Sequence, residues 1–346
     1  MGANNIRVAV VGAGDFGRNH VRILRDLPGV DFAGIVDTNA ERAAAVAKEF
    51  GVAIFPGLEA LAGRVDAATV AVPTVAHARI GCRLLESGID VLVEKPMASS
   101  LAEADALIAA AQKHGRVLQV GHLERFNPGI RAVRKIIARP LFFEVHRLGI
   151  FTPRSLDIDV IFDVMIHDLD ILLWLVGEPV VDLKAVGIPV ITPKVDIAHA
   201  RLEFSGGAVA NLTASRVSTE RVRKLRFFQA HEYLSVDFAR RDAFRVGVPE
   251  QSDVRSGAPA ATPEFRFEKL STGPLGELAG ETPSAPEEPL HAELAAFVDA
   301  VRLRSVPLVD GPAGRRALEL AGRVMAGIQE HASRVQLGEL VPHSSR

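Results

Sequence analysis

Val8-Ala9-Val10-Val11-Gly12-Ala13-Gly14-Asp15-Phe16-Gly17 is an apolar, mostly β-branched run that breaks into Gly-x-Gly-x-x-Gly and then into a helical pattern. Gly12 permits a tight turn off the strand. Gly14 has no Cβ, so the backbone there can approach a pyrophosphate, and Gly17 lets the helix pack close to the sheet. The N–H groups and the positive end of that helix then face the phosphates. Glycines alone serve many turns, so the context carries the reading. A second apolar run, Asp31-Phe-Ala-Gly-Ile-Val-Asp37, ends in an acid 20 residues past Gly17. A carboxylate there accepts from the adenosine ribose hydroxyls and repels a 2′-phosphate, so NAD is expected over NADP. The expected cofactor contacts are Gly12, Ala13, Gly14, Asp15, Phe16, Gly17, Asp37 and the adjoining Thr38.

Outward from this turn, short apolar runs alternate with helical stretches up to about Gly121. Strands are expected at Ile6–Val11, Phe32–Asp37, Ala67–Val72, Val91–Glu94 and Val117–Val120. Thr38-Asn-Ala-Glu41 and Ser100-Leu-Ala-Glu103 read as capping boxes that start helices. Continuous β-branched strands between helices imply a parallel sheet covered on both faces, hence a doubly wound α/β domain over 1–123. Ligands of such a sheet bind beyond the carboxyl ends of the strands. Three of those ends carry unusual residues: Pro73-Thr74 with His77, Glu94-Lys95-Pro96, and Gly121-His122 through Arg125 to Asn127-Pro128.

From 124 to 346 the pattern changes to α+β. A helix at Pro128–Ile137 precedes a strand-like run at Leu141–Leu148. Asp157–Trp174 is helical by period, with Leu172 and Trp174 expected in the core. Alternating runs follow at Val180–Val190, Ala198–Phe204, Val209–Ser215 and Lys224–Gln229, with Ser205-Gly206-Gly207 as a hairpin turn. They predict an open, mostly antiparallel sheet backed by helices. Residues 247–289 hold seven of the 20 prolines and read as a long excursion with one short strand, Glu264–Leu270. Helices at Leu290–Leu303 and Ala313–Ala332 close the chain.

The 346 residues allow two domains, and a 48% hydrophobic content supplies their cores. A net charge of −2, from 40 basic and 42 acidic side chains, implies no nucleic-acid partner. The single cysteine, Cys82, cannot form an internal disulfide, which fits a reducing cytoplasm. No leader is expected ahead of the first strand, and no apolar run approaches the ~20 residues that span a bilayer. A cytoplasmic protein without a membrane partner is the expectation.

Taken together, Gly12-x-Gly14-x-x-Gly17, Asp37, Glu94-Lys95-Pro96, Gly121-His122 to Asn127-Pro128 and Asp163-x-x-x-His167 resemble the Gfo/Idh/MocA oxidoreductase family. The resemblance runs along nearly the whole chain. It implies an N-terminal Rossmann domain, a C-terminal domain whose open sheet supports homodimers or homotetramers, and NAD(P)-linked alcohol oxidation or carbonyl reduction, usually on a sugar or cyclitol. Carried over position by position, Pro73, Thr74, His77, Glu94, Lys95 and His122 join the cofactor contacts. Lys95, Asp163 and His167 form the catalytic group, and the Lys95–Pro96 bond is cis. Phe151-Thr-Pro-Arg154 to Asp170, with His122-Leu-Glu-Arg125-Phe-Asn127-Pro128, resembles a branch that oxidises C3 of UDP-N-acetylglucosamine. An aminotransferase follows that branch in making 3-amino sugars for lipid A. Arg125, Asn127 and Arg154 are the expected contacts to the sugar nucleotide, with Lys95, Asp163 and His167.

Oxidising a secondary alcohol removes a hydride from carbon and a proton from oxygen. Imidazole suits the base role, being mostly neutral at pH 7. Asp163, four residues before His167, can orient that ring or bind a sugar hydroxyl. Lys95 can stabilise alkoxide character on the reacting oxygen or, once desolvated, take the proton itself. Three other readings stay open. Asp163, His167 and Asp170 at helical spacing could hold a metal, although no fourth ligand is evident and none is expected. The enzyme could oxidise another sugar or an inositol. The chain could also bind NAD as a non-catalytic regulator.

Overall fold

The computed structural model describes residues 5–152, 158–247, 266–270 and 288–336. They group into two units. One takes the described residues through Phe126 together with Glu288–Glu319; the other takes those from Asn127 onward and from Leu320 onward.

The first unit begins with β1 (Ile6–Val11), α1 (Asp15–Leu24), β2 (Val30–Val36) and α2 (Ala40–Phe50). It continues with β3 (Ala67–Val70), α3 (His77–Glu86), β4 (Asp90–Glu94), α4 (Leu101–Lys113) and β5 (Leu118–Gly121). The strands form one sheet in the order β2-β1-β3-β4-β5, with every pair parallel. Strand order reverses between β1 and β3, so the loops leaving these two strands diverge and open a crevice there. The doubly wound expectation holds, and each expected strand is found with ends shifted by at most two residues. Ser100 caps α4, accepting from Glu103 N–H at 3.2 Å. Ahead of α2 the cap is Asn39 rather than Thr38: its side chain accepts from Arg42 N–H at 2.9 Å. The cap has moved one residue along the chain, so the amide oxygen meets Arg42 N–H, where a Thr38 hydroxyl would have met Glu41 N–H.

In the second unit α5 (Pro128–Ile136) and β6 (Phe142–Leu148) precede a π-helical turn, Ile161–Met165, which runs into α6 (Ile166–Val176). Next come β7 (Val180–Ile188), β8 (Ile197–Phe204), β9 (Val209–Ser215), β10 (Val222–Gln229), β11 (Glu232–Asp237), β12 (Asp242–Gly247) and β13 (Arg266–Leu270). They make an eight-stranded sheet in the order β13-β12-β11-β10-β6-β9-β8-β7. Only the β6–β9 pair within it is parallel. Alternation is clear in β8, where Ala198, Ala200, Leu202 and Phe204 are buried while His199 and Arg201 are exposed. One face is therefore open, as the sequence implies. Leu172 is fully buried, but Trp174 is half-buried, with the Arg134 guanidinium 5.6 Å from its ring centre. The hairpin at Ser205-Gly206-Gly207 is present, Gly207 taking φ +90°.

Two helices end the described chain, α7 (Pro289–Leu303) and α8 (Gly311–Arg334). Leu294, Phe297, Val298 and Val301 of α7 join Val8 and Val10 of β1, Val21 and Leu24 of α1 and Ile35 of β2 in one core. Burying a ring such as Phe297 completely contributes about 1.5–3 kcal/mol, which ties this late helix to the first unit. Beyond Glu319, α8 counts with the second unit: Arg323 donates to Val180 O at 3.1 Å. Among the described residues, no helix is long and apolar enough to cross a membrane.

Candidate active site

In the first unit the glycine turn is fixed by packing at two of its three glycines. Gly12 takes φ +99°, and a Cβ there would lie 2.3 Å from Ala71 O. On Gly17 it would lie 1.8 Å from Gly12 O. Gly14 differs, since a Cβ there would meet nothing within 4 Å. The protein itself does not need that glycine, and open space remains above the backbone for a ligand. No side chain caps α1 at Gly14. Asp15 and Phe16 are exposed at the helix start. Open room over Gly14 at an uncapped helix end fits a dinucleotide diphosphate.

Asp37 lies beside this turn with its side chain 2% exposed. It accepts from Ala13 N–H at 2.6 Å, from Asn39 N–H at 2.7 Å and from the Arg42 fork at 2.8 and 3.0 Å. Burial pushes its carboxyl up, but Arg42 and the two amides outweigh burial and hold it below the usual carboxylate range. Thr38 is exposed.

At the other strand ends, Pro73 is exposed and Thr74 half-buried, while His77 is buried. Its Nδ1 lies 2.9 Å from Pro96 O and its Nε2 2.8 Å from Val72 O. A neutral ring donates to one carbonyl at a time. Burial moves this imidazole below its ordinary value, against the upward pull of the two carbonyls. His77 thus ties the chain after β3 to the turn after Lys95. That Lys95–Pro96 bond is cis. Glu94 is buried, and its Oε1 lies 3.0 Å from Nε2 of the fully buried His20. Burial raises the Glu94 carboxyl, while His20 and the Lys95 charge bring it below its ordinary value. Gly121 leaves room for that carboxylate, since a Cβ would sit 3.0 Å from it. Lys95 is half-buried directly after Glu94. His122 is buried at the end of β5. Arg125 is buried too and donates to Leu308 O at 3.2 Å.

In the second unit Asn127 caps α5, accepting from Gly129 N–H at 3.1 Å and donating to Phe238 O at 3.1 Å. Asp163 lies inside the π-helical turn, where Ile166 N–H reaches back to Ile161 O. The extra residue per turn departs from the regular helix that the sequence period predicts. Between Ile161 and Leu172 only Phe162, Asp163, Val164 and His167 escape burial. Two buried ion pairs fix this stretch. Arg147 on β6 donates to Asp168, next to His167, at 2.7, 2.9 and 3.1 Å. Arg216 donates to Ile158 O at 2.8 Å and to Asp196 at 2.7 Å. Asp196 also accepts from the backbone N–H groups of Val190, Ile191 and Thr192. Arg154 lies outside the described residues. No group of three or more His, Cys, Asp or Glu arranged to hold a metal occurs among the described residues.

Sequence reasoning missed Arg42, His20 and the two buried pairs. The signal for His20 was present: it is polar at a helix position flanked by the buried Gly17, Val21 and Leu24, and a buried polar side chain demands a partner.

A parallel sheet whose first strand runs into this turn, with an acid at the end of the second, defines a dinucleotide-binding oxidoreductase. Two family models match the chain: the oxidoreductase family with NAD-binding Rossmann fold over residues 6–122, and the GFO/IDH/MocA C-terminal domain over 132–230. The UDP-N-acetylglucosamine 3-dehydrogenase of Acidithiobacillus ferrooxidans is 37% identical over 333 residues, 95% of this chain and 99% of that one. Its solved structure superposes with a TM-score of 0.82, covering 94% of this chain and 98% of that one. The scyllo-inositol 2-dehydrogenase (NAD(+)) of Bacillus subtilis is 29% identical over 241 residues, 62% of this chain and 68% of that one. Levoglucosan dehydrogenase, solved with NADH and levoglucosan, is 20% identical and shares the fold, with a TM-score of 0.80 over 94% of this chain and 98% of that one. The chain belongs to the Gfo/Idh/MocA oxidoreductase family. It is an NAD-dependent dehydrogenase.

Proposed function

We propose that the chain oxidises the C3 hydroxyl of UDP-N-acetylglucosamine to the 3-keto sugar nucleotide. The observation that carries this reading is end-to-end similarity to an enzyme of that name, over 95% of this chain and 99% of that one. Gly12 to Gly17 take the diphosphate of the cofactor, and Asp37 takes its adenosine ribose. Bound NAD supplies the hydride acceptor. Lys95, Asp163 and His167 act on one substrate. His167 takes the hydroxyl proton as the C3–H bond breaks and C3–O becomes a carbonyl. Lys95 stabilises the negative charge that develops on that oxygen, and Asp163 orients the imidazole or holds a neighbouring hydroxyl. The product is a ketone beside an amide-bearing carbon, suited to an aminotransferase that makes a 3-amino sugar. A second copy of the chain covers the open face of the eight-stranded sheet, where Phe228, Phe244 and Phe267 are exposed.

The test is NADH formation on a panel of UDP-N-acetylglucosamine, free N-acetylglucosamine, glucose and myo-inositol, with an aminotransferase and glutamate present to draw off the ketone. The nucleotide sugar is expected to be preferred. Preference for a free sugar or inositol overturns the substrate, and NAD binding without turnover on any of them overturns the catalytic role. His167→Asn and Lys95→Met are each expected to lower kcat by about a hundredfold or more. The variant that abolishes the acidic limb of the pH–rate profile identifies the base. Near-normal turnover in both removes the assignment.

A further inference from the structure

The Asp37 carboxylate is full. Its Oδ2 takes Ala13 N–H at 2.6 Å and Arg42 Nε at 3.0 Å, and its Oδ1 takes Asn39 N–H at 2.7 Å and Arg42 Nη2 at 2.8 Å. An ionised carboxylate offers about four lone-pair sites, so a ribose hydroxyl that binds Asp37 must displace a donor. Two of the donors are backbone amides that cannot leave without undoing the turn. Gly12 N–H is bonded to Val36 O at 2.8 Å, which fixes Ala13, and Asn39 is the cap of α2. The Arg42 side chain is different: it is 48% exposed and held only by its tip. Its own N–H is anchored by Asn39, so the guanidinium pivots from a fixed base one helical turn from Asp37.

We propose that Arg42 is a cofactor-specificity residue: it competes with the adenosine ribose of NAD for Asp37, and it receives the 2′-phosphate of NADP, so that the protein also binds NADP. The acid at the end of β2 predicts exclusion of a 2′-phosphate when considered alone. With Arg42 beside it the pair is electrically neutral, and the cation that neutralises it is the one able to move. A planar guanidinium suits a phosphate through two parallel hydrogen bonds. The inference rests on the placement of the ribose at Asp37 proposed above.

Equilibrium binding of NADH and NADPH, followed by nicotinamide fluorescence without substrate, tests it on wild type, Arg42→Met, Arg42→Lys and Asp37→Asn. Wild type is expected to bind both nucleotides. Arg42→Met should shift the affinity ratio by about tenfold or more toward NADH, the size of one charge-assisted contact. Arg42→Lys should restore part of the NADPH affinity. Raising the salt concentration should weaken NADPH more than NADH in wild type and equally in Arg42→Met. Wild type that binds NADH but not NADPH overturns the inference, as does an Arg42→Met variant with an unchanged ratio. Asp37→Asn separates the two claims: if it leaves NADH affinity unchanged, the ribose placement fails and the inference falls with it. Should Asp37→Asn weaken NADH while Arg42→Met leaves the ratio alone, only the role of Arg42 is lost.

Discussion

Gly12 and His167 are placed by different means. In the first unit a backbone bend does the work: Gly12 at φ +99°, Gly17 against Gly12 O, and Asp37 gripped by two main-chain amides. Residues in the second unit are placed by buried charge. Arg147 holds Asp168 beside His167, and Arg216 holds Ile158 ahead of Asp163, with Asp196 holding Arg216. Backbone placement tolerates changes of side chain but not of Cβ. Charge placement tolerates neither loss of a partner nor loss of its charge.

Substitution at Gly17 should have the largest effect. A Cβ 1.8 Å from Gly12 O cannot be accommodated without moving the turn. Strain above ~3 kcal/mol is expected, so Gly17→Ala should weaken NADH binding by about a hundredfold in a fluorescence titration. Binding within a few-fold of wild type would break the comparison on the backbone side. Next comes Asp168→Asn, which removes the carboxylate charge that the buried Arg147 guanidinium grips. A loss of about 3–5 kcal/mol is expected, read from urea unfolding. A loss below about 1 kcal/mol would mean that the pair does not fix α6.

Acid sharpens the same point. Asp196 is held far below the usual carboxylate range, because hydrogen bonds from Thr192, Ile191 and Val190 outweigh its burial. Its folded-state pKa is depressed, so its stabilisation is fully present above the unfolded value near 3.9 and is lost as pH falls below that value. Asp196→Asn is expected to lower stability at neutral pH and to flatten the fall below about pH 4. An equally steep fall in the variant would assign the acid sensitivity elsewhere. The smallest structural effect belongs to Gly14→Ala, whose Cβ meets open space at φ −69°. Its unfolding free energy should change by no more than about 0.5 kcal/mol, while NADH binding weakens several-fold. A fall in stability like that of Gly17→Ala would erase the difference between the two glycines.

The same contrast explains what the sequence discloses. A turn at positive φ requires glycine, and a strand leading into it requires an apolar run, so β1, Gly12 to Gly17 and Asp37 can all be recognised from residue type. The partners of these residues cannot. His20 and Glu94 are 74 positions apart, and Arg147 and Asp168 are 21 apart. Nothing local marks either arginine or acid as buried. The β10–β11 and β11–β12 turns are not legible in the sequence for a related reason. Their left-handed positions are His231 at φ +64° and Arg241 at φ +58°, where Gly or Asn is the usual marker. The helical period around Asp163 is legible, but the π-helical turn is not, since one extra residue barely alters an apolar stripe.

Oxidation at C3 is tested most directly with UDP-N-acetylglucosamine carrying deuterium at that carbon. Mass spectrometry of the reduced cofactor is expected to find the deuterium on the nicotinamide ring, with slower turnover than for unlabelled substrate. Reduced cofactor without deuterium would mean that another carbon is oxidised. No reduced cofactor at all, with the aminotransferase present, would contradict the proposed activity.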